Sequence, residues 1–175
     1  MQELINKATT LLEALPYIQR FAGATFVVKY GGSFMDSPDE AVRTGVASDV
    51  VFLEAVEINP VVVHGGGKRI NKALEEAGIK THFVNGLRYT DAASMEVVDR
   101  VLSREINAEI VSMIKSLGGM AKGIAGPEIF TCKKHMPDGE DYGFVGEVMS
   151  VNTTPLEECI SKGITPVISP TGHDE

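Results

Sequence analysis

Residues 59–71, NPVVVHGGGKRIN, decide the fold. Pro60 punctuates the start, and Val61, Val62 and Val63 form the short β-branched run that a buried parallel strand favours. Gly65, Gly66 and Gly67 come directly after His64. Ile70, Ala73, Leu74 and Ala77 then recur at the spacing of one helix face, with Gly78 as a C-terminal stop. The reading is strand, glycine turn, helix. Three glycines let the backbone turn sharply and approach a ligand with no Cβ in the way. The first amides of the helix lack intrahelical partners and face whatever fills the turn, an anion by preference. A plain tight turn is the alternative. Two nucleotide fingerprints are excluded. A phosphate loop ending at Gly67 and Lys68 would need Gly at 62 and Ser or Thr at 69, where Val62 and Arg69 stand, and Gly-x-Gly-x-x-Gly spacing is not met.

Towards the N-terminus, residues 25–30 (TFVVKY) read as a first strand ended by Gly31 and Gly32. Ser37, Pro38 and Glu40 predict a helix start with Ser37 as N-cap in a capping box, and Val42, Val46, Val50 and Leu53 mark its buried face. Ahead of the strand, Leu4, Ala8, Leu11, Leu12, Leu15, Ile18 and Ala22 form an apolar helical stripe that Pro16 is expected to kink or split. That helix either covers the domain's own surface or makes an oligomer contact.

Towards the C-terminus, Asn85-Gly86 is a two-residue hairpin signal between extended pieces at 81–84 and 87–90. Thr90 is expected to cap a long helix with Met95, Val98, Leu102, Ile106, Ile110, Met113 and Leu117 inward, stopped at Gly118. Residues 120–152 read as strand-like and loop-rich. The turn MPDGEDYG at 136–143 is expected to be exposed, with Asp138, Glu140 and Asp141 solvated rather than metal-bound. Thr154, Pro155 and Glu157 repeat the capping pattern for a last helix closed by Gly163, and 164–169 (ITPVIS) is a final strand. Strands alternating with helices predict an α/β fold with a parallel sheet flanked on both faces, and ligands bind such sheets beyond the carboxyl ends of the strands. Both glycine turns sit there.

A length of 175 residues suits one α/β domain with a real core. A net charge of -8 argues against nucleic acid or an anionic membrane as main partner. Cys132 and Cys159 carry no metal spacing and read as reduced thiols. No apolar run approaches the roughly 20 residues of a membrane helix, and no signal peptide is evident, so a cytoplasmic location is expected.

Lys29 stands two residues before the first glycine turn. A compact ammonium beside two amide nests suits a phosphoryl group in transfer, whose charge must be neutralised on all sides. Arg88, just past the hairpin turn, offers a guanidinium for bidentate grip of a carboxylate. His64 is either a general base or a packing residue, and packing is favoured because a carboxylate acceptor needs no base. No metal ligand set is proposed.

KYGGS at 29–33, VVVHGGG at 61–67, NGLRYTD at 85–91 and GFVGEVMSVN at 143–152, in this order, resemble the N-terminal half of the acetylglutamate kinases of the amino acid kinase family. The resemblance implies an open three-layer αβα sandwich. It also implies transfer of the ATP γ-phosphoryl to the side-chain carboxylate of N-acetyl-L-glutamate, a step of arginine biosynthesis. Lys29 then corresponds to the phosphoryl-stabilising lysine, Gly31, Gly32 and Gly65 to the phosphoryl cradle, and Gly66, Gly67 and Arg88 to the acid-binding set. Residues 1–22 resemble the extension that joins dimers of arginine-inhibited members into a hexamer, and 23–175 the acetylglutamate-binding domain. Two departures are noted. Lys68 and Arg69 come after the glycines and raise the local charge. The sequence also stops after VISPTGHDE, before the family's Asn-containing motif and nucleotide domain. ATP and Mg2+ are therefore expected as cofactors of the complete enzyme and neither on this chain alone, which is expected to be inactive. A non-catalytic acetylglutamate-binding or assembly module, or the kinase-like domain of an acetylglutamate synthase, are the alternatives. A strand position left unpaired beside Val167 and Ile168 is expected to promote association into a dimer or larger.

Overall fold

The valines at 61–63 are built to be covered on both faces, and they are. Val62 packs into one hydrophobic cluster with Tyr30, Leu74, Ile110 and Val167, while Val61 and Val63 pack into another with Ile124, Ile129, Cys159 and Ile168. The computed structural model describes residues 1–174, without the side chains of Ser33 and Asp138. In chain order the elements are α1 (Gln2–Phe21), β1 (Thr25–Tyr30), α2 (Gly32–Met35), α3 (Glu40–Ala55), β2 (Asn59–His64), α4 (Gly67–Glu76), β3 (Phe83–Val84) and β4 (Leu87–Arg88). Next come α5 (Ala92–Asp99), a π-helical segment (Arg100–Ile106), α6 (Asn107–Ser116), β5 (Ala121–Ile124), β6 (Phe130–Lys134), β7 (Gly146–Val151), α7 (Thr154–Ile160), β8 (Thr165–Ile168) and β9 (His173–Asp174).

The main sheet has the order β1-β2-β8-β5 and every pairing is parallel. Residues from α3, α4, the π segment and α6 cover one face, and α7 covers the other. This is the expected αβα sandwich, with the β3–β4 hairpin and α1 added to it. A second sheet, β7-β6-β9, stands apart, with β6 antiparallel to β7 and parallel to β9.

Several local expectations need correction. Asp39, not Ser37, caps α3: its carboxylate accepts from the Ala41 amide, and Ser37 accepts from the Asp39 amide one step earlier. Asp91, not Thr90, caps α5 by accepting from the Ser94 amide. Thr154 opens α7 without capping it. Helix α1 runs unbroken through Pro16 and buries no residue. The long helix is interrupted by π winding, and one extra residue in a turn rotates the downstream residues by about 100°. Leu102, Ile106 and Ile110 are buried as expected and Val101 and Ile114 join them, whereas Leu117, just past the end of α6, is exposed. Strand β8 lies inside the sheet between β2 and β5, so no unpaired position borders Val167 and Ile168. The edges are β1 and β5. In the 136–143 turn, Tyr142 is fully buried rather than exposed. Gly78, Gly118 and Gly163 do stop their helices in the left-handed conformation.

Candidate functional site

Strands β1 and β2 pair in the register Tyr30 with His64, so Gly31 and Gly65 leave the sheet side by side. The crevice expected between two glycine turns is therefore built by adjacent parallel strands. The Gly65 amide donates to the Tyr30 carbonyl at 3.0 Å, so this glycine offers open space, with nothing near its missing Cβ, rather than a free donor. Gly66 caps α4 with no side chain over the helix end. A Cβ on it would lie 2.5 Å from Ile106 Cδ1 and 2.8 Å from Leu102 Cδ2, so it is glycine because the turn packs on the π segment. Gly67 opens α4, and the first amides of a ten-residue helix point out of the sheet at this spot. Gly31 and Gly32 form the facing turn at the start of α2.

Lys29 is exposed, and among the described residues its ammonium has no ion-pair or hydrogen-bond partner. Its register partner is Val63. Arg88 is engaged differently. Its guanidinium donates to Thr81 Oγ1 at 3.0 Å and to Asn71 Oδ1, and it lies 4.8 Å from the Phe83 ring centroid. It thereby ties the hairpin to α4. These partners are neutral, so a carboxylate arriving there would replace a weaker acceptor with a stronger one.

The charge expected from Arg69 is spent. It donates to Asp36 Oδ1 at 3.2 Å and grips both oxygens of Glu109, joining the end of α2 to α4 and α6. The Arg69 hydrogen bonds hold the Glu109 carboxyl below its usual range. His64 is buried. Its partners fit a neutral ring with the proton on Nδ1, which donates to the Gly65 carbonyl at 3.1 Å while Nε2 accepts from Asn107 at 3.4 Å. Burial pushes the His64 pKa down. A packing residue, not a base poised at the crevice, is what this geometry describes.

Beside the crevice lies a cavity of about 660 Å³ between the start of α5, the β6–β7 hairpin and the segment leading to β9. Its walls include Val63, Thr90, Asp91, Met95, Phe130 and Phe144. None of Lys29, Gly31, Gly32, Gly65, Gly66, Gly67 and Arg88 lines it. It borders them through Val63, next to His64, and through Tyr89, next to Arg88. Tyr89, Thr90 and Asp91 could have been found from their place in NGLRYTD. Phe130, Cys132 and Thr171 could not, because no local pattern joins β6 and the β8–β9 connection to this end of the sheet. Among the described residues no three of His, Cys, Asp and Glu gather as a metal site. Among the described residues no helix is long and apolar enough to cross a membrane.

The model of the amino acid kinase family matches residues 24–175. The chain belongs to that family. It is 46% identical over 186 aligned positions to the acetylglutamate kinase of Geobacter sulfurreducens, covering all of this chain and 63% of that protein. It is 48% identical to the acetylglutamate kinase of Methanocaldococcus jannaschii, covering all of this chain and 61% of that protein. The chain thus spans about three fifths of the curated relatives it matches. Among solved structures, the N-acetylglutamate synthase of Neisseria gonorrhoeae superposes with a TM-score of 0.79 at 21% identity, over 95% of this chain and 38% of that one. That likeness concerns the fold.

Proposed function

We propose that residues 23–175 are the acid-binding domain of an acetylglutamate kinase, with residues 1–22 a separate oligomerisation helix. The observation that carries this reading is the pair of glycine turns on adjacent parallel strands, with the exposed Lys29 two residues before the first of them. The similarity to acetylglutamate kinases supports the choice of acid.

In this reading Lys29 neutralises charge on the transferring oxygens, and the amides of Gly31 and Gly32 hold them. Gly65 leaves room for that group, and the turn at Gly66 and Gly67 receives the acid. Arg88 exchanges Asn71 for the α-carboxylate. The acceptor is already an anion, so no base is required and the buried, neutral His64 is free to be structural. ATP, when bound, supplies the phosphoryl group, and the residues fit that end of it. The described residues gather no magnesium-binding set. A homo-oligomer in the cytoplasm is part of the proposal.

Titration calorimetry tests it. N-acetyl-L-glutamate should bind saturably and L-glutamate should not, and Arg88→Ala should weaken binding by about 10- to 150-fold through loss of a charge-assisted contact. Absence of binding at millimolar acid would remove the reading for this chain. Acid- and ATP-dependent turnover by the chain itself would overturn the expectation that it binds without catalysing.

A further inference from the structure

We infer that Tyr142 and Gly143, in the loop joining β6 to β7, are positioning residues of the acid site. They latch the β3–β4 hairpin, and with it Arg88, onto the body of the domain. The inference rests on the reading of Arg88 as the carboxylate ligand.

The hairpin needs an external hold. Its strands are two residues each, joined by Asn85 (φ 49°) and Gly86 (φ 83°), the left-handed pair that a tight hairpin turn demands. So short a ribbon is not stable in water by itself. The β6–β7 loop holds it at both ends. At the tip, Asn85 Nδ2 donates to Tyr142 Oη at 3.0 Å and to Glu140 Oε2 at 3.4 Å, and Tyr142 Oη donates to Glu140 Oε2 at 3.1 Å. The Tyr142 ring is only 2% exposed and lies against His135, so its hydroxyl is a fixed post.

At the base, the Thr90 amide donates to the Tyr142 carbonyl at 3.1 Å and the Phe144 amide to the Thr90 carbonyl at 2.7 Å. Gly143, between them, has φ +71°, and a Cβ there would lie 2.0 Å from the Thr90 carbonyl oxygen. Only glycine allows this approach. The loop is itself braced: the Gly143 amide donates to Asp141, which pairs with Lys134 at 2.7 Å. Arg88 therefore sits between two anchors supplied by one loop, and the same joint walls the cavity through Thr90, Asp91, Gly143 and Phe144. Neither Tyr142 nor Gly143 needs to touch the acid to place its ligand.

Tyr142→Phe removes one hydroxyl and keeps the ring. Of the two hydrogen bonds this hydroxyl makes, only the one from Asn85 reaches the hairpin, and its loss should speed amide hydrogen exchange at residues 87–90 about fivefold and weaken N-acetyl-L-glutamate binding about three- to tenfold. In an Arg88→Ala background the same change should add less than twofold, because the latch acts through Arg88. Asn85→Ala should reproduce both effects, and Gly143→Ala should exceed them if it folds. Unchanged exchange at 87–90 in both Tyr142→Phe and Asn85→Ala overturns the latch. A lowered Tm with an unmoved dissociation constant, or an equal loss with and without Arg88, overturns the positioning role. If the parent chain binds no acid, the substrate reading fails with the positioning role, and exchange alone decides the latch.

Discussion

A Cβ added at Gly126 would lie 1.9 Å from the Thr171 carbonyl oxygen and 2.4 Å from that of Ser169, whereas at Gly66 it would meet only the tips of Ile106 and Leu102. Backbone cannot swing aside, and side-chain ends can. The Gly126 amide also donates to Ser169 Oγ at 2.9 Å, and that buried hydroxyl contacts the half-buried Ser103 and the buried Thr171. Gly126→Ala should therefore cost about 3 kcal/mol or more, and Gly66→Ala about 1–2 kcal/mol of overpacking. Urea midpoints at unchanged slope measure both, and equal costs would overturn the contrast. At this scale the sequence showed one place where glycine mattered but not why, and missed another. The triplet at 65–67 was visible as a turn. That Leu102 and Ile106 fill the space over Gly66 depends on residues more than thirty positions away. Gly126 carried no signal, because the chain that crowds it arrives from 169–171.

Three elements meet at one polar contact. Asn107 of α6 donates to the Val167 carbonyl of β8 at 2.8 Å and to Nε2 of His64 at the end of β2. The contact needs the neutral imidazole, since a protonated Nε2 would face the Asn107 amide hydrogens as donor against donor. Burial lowers the His64 pKa from its ordinary 6.5, so the unfolded chain binds the proton more readily than the folded one. The stability that depends on neutral His64 is thus fully present above about pH 6.5 and is lost as pH falls from there through the folded-state pKa. His64→Gln should flatten the pH dependence of the unfolding free energy over that window. An unchanged profile would show that His64 does not set it. The elements themselves were largely readable, because valine runs, hairpin turns and glycine stops are local signals. Helix starts slipped by one or two residues where Ser37 and Asp39, or Thr90 and Asp91, compete for the same amides. The π winding and the two-residue β9 escaped because neither changes composition. Each is set by contacts between distant segments.

At the scale of the molecule, α1 is the part that the fold does not use. It buries no residue, and Leu4, Leu11 and Leu12 are each 65–70% exposed. Near its end it meets the sheet, where the Phe21 and Phe26 rings lie edge to face at 5.3 Å. In proteins most helical stability comes from packing an apolar face rather than from propensity, and the 20 residues of α1 bury none of theirs. The stripe was legible in the sequence, whereas its destination was not, since covering the domain and contacting another copy need the same spacing. The structure removes the first option for most of its length. It also removes the argument from an open edge at β8, leaving α1 as the surface that predicts self-association. Light scattering at micromolar concentration should give a dimer or larger species. Leu11→Lys with Leu12→Lys should reduce it to a smaller one, with thermal unfolding of the domain nearly unchanged because no core residue is touched. A monomeric parent chain would overturn the role of α1. A double variant that keeps the parent's mass would place the contact elsewhere, and the exposed Val27 on edge strand β1 would then be the surface to change.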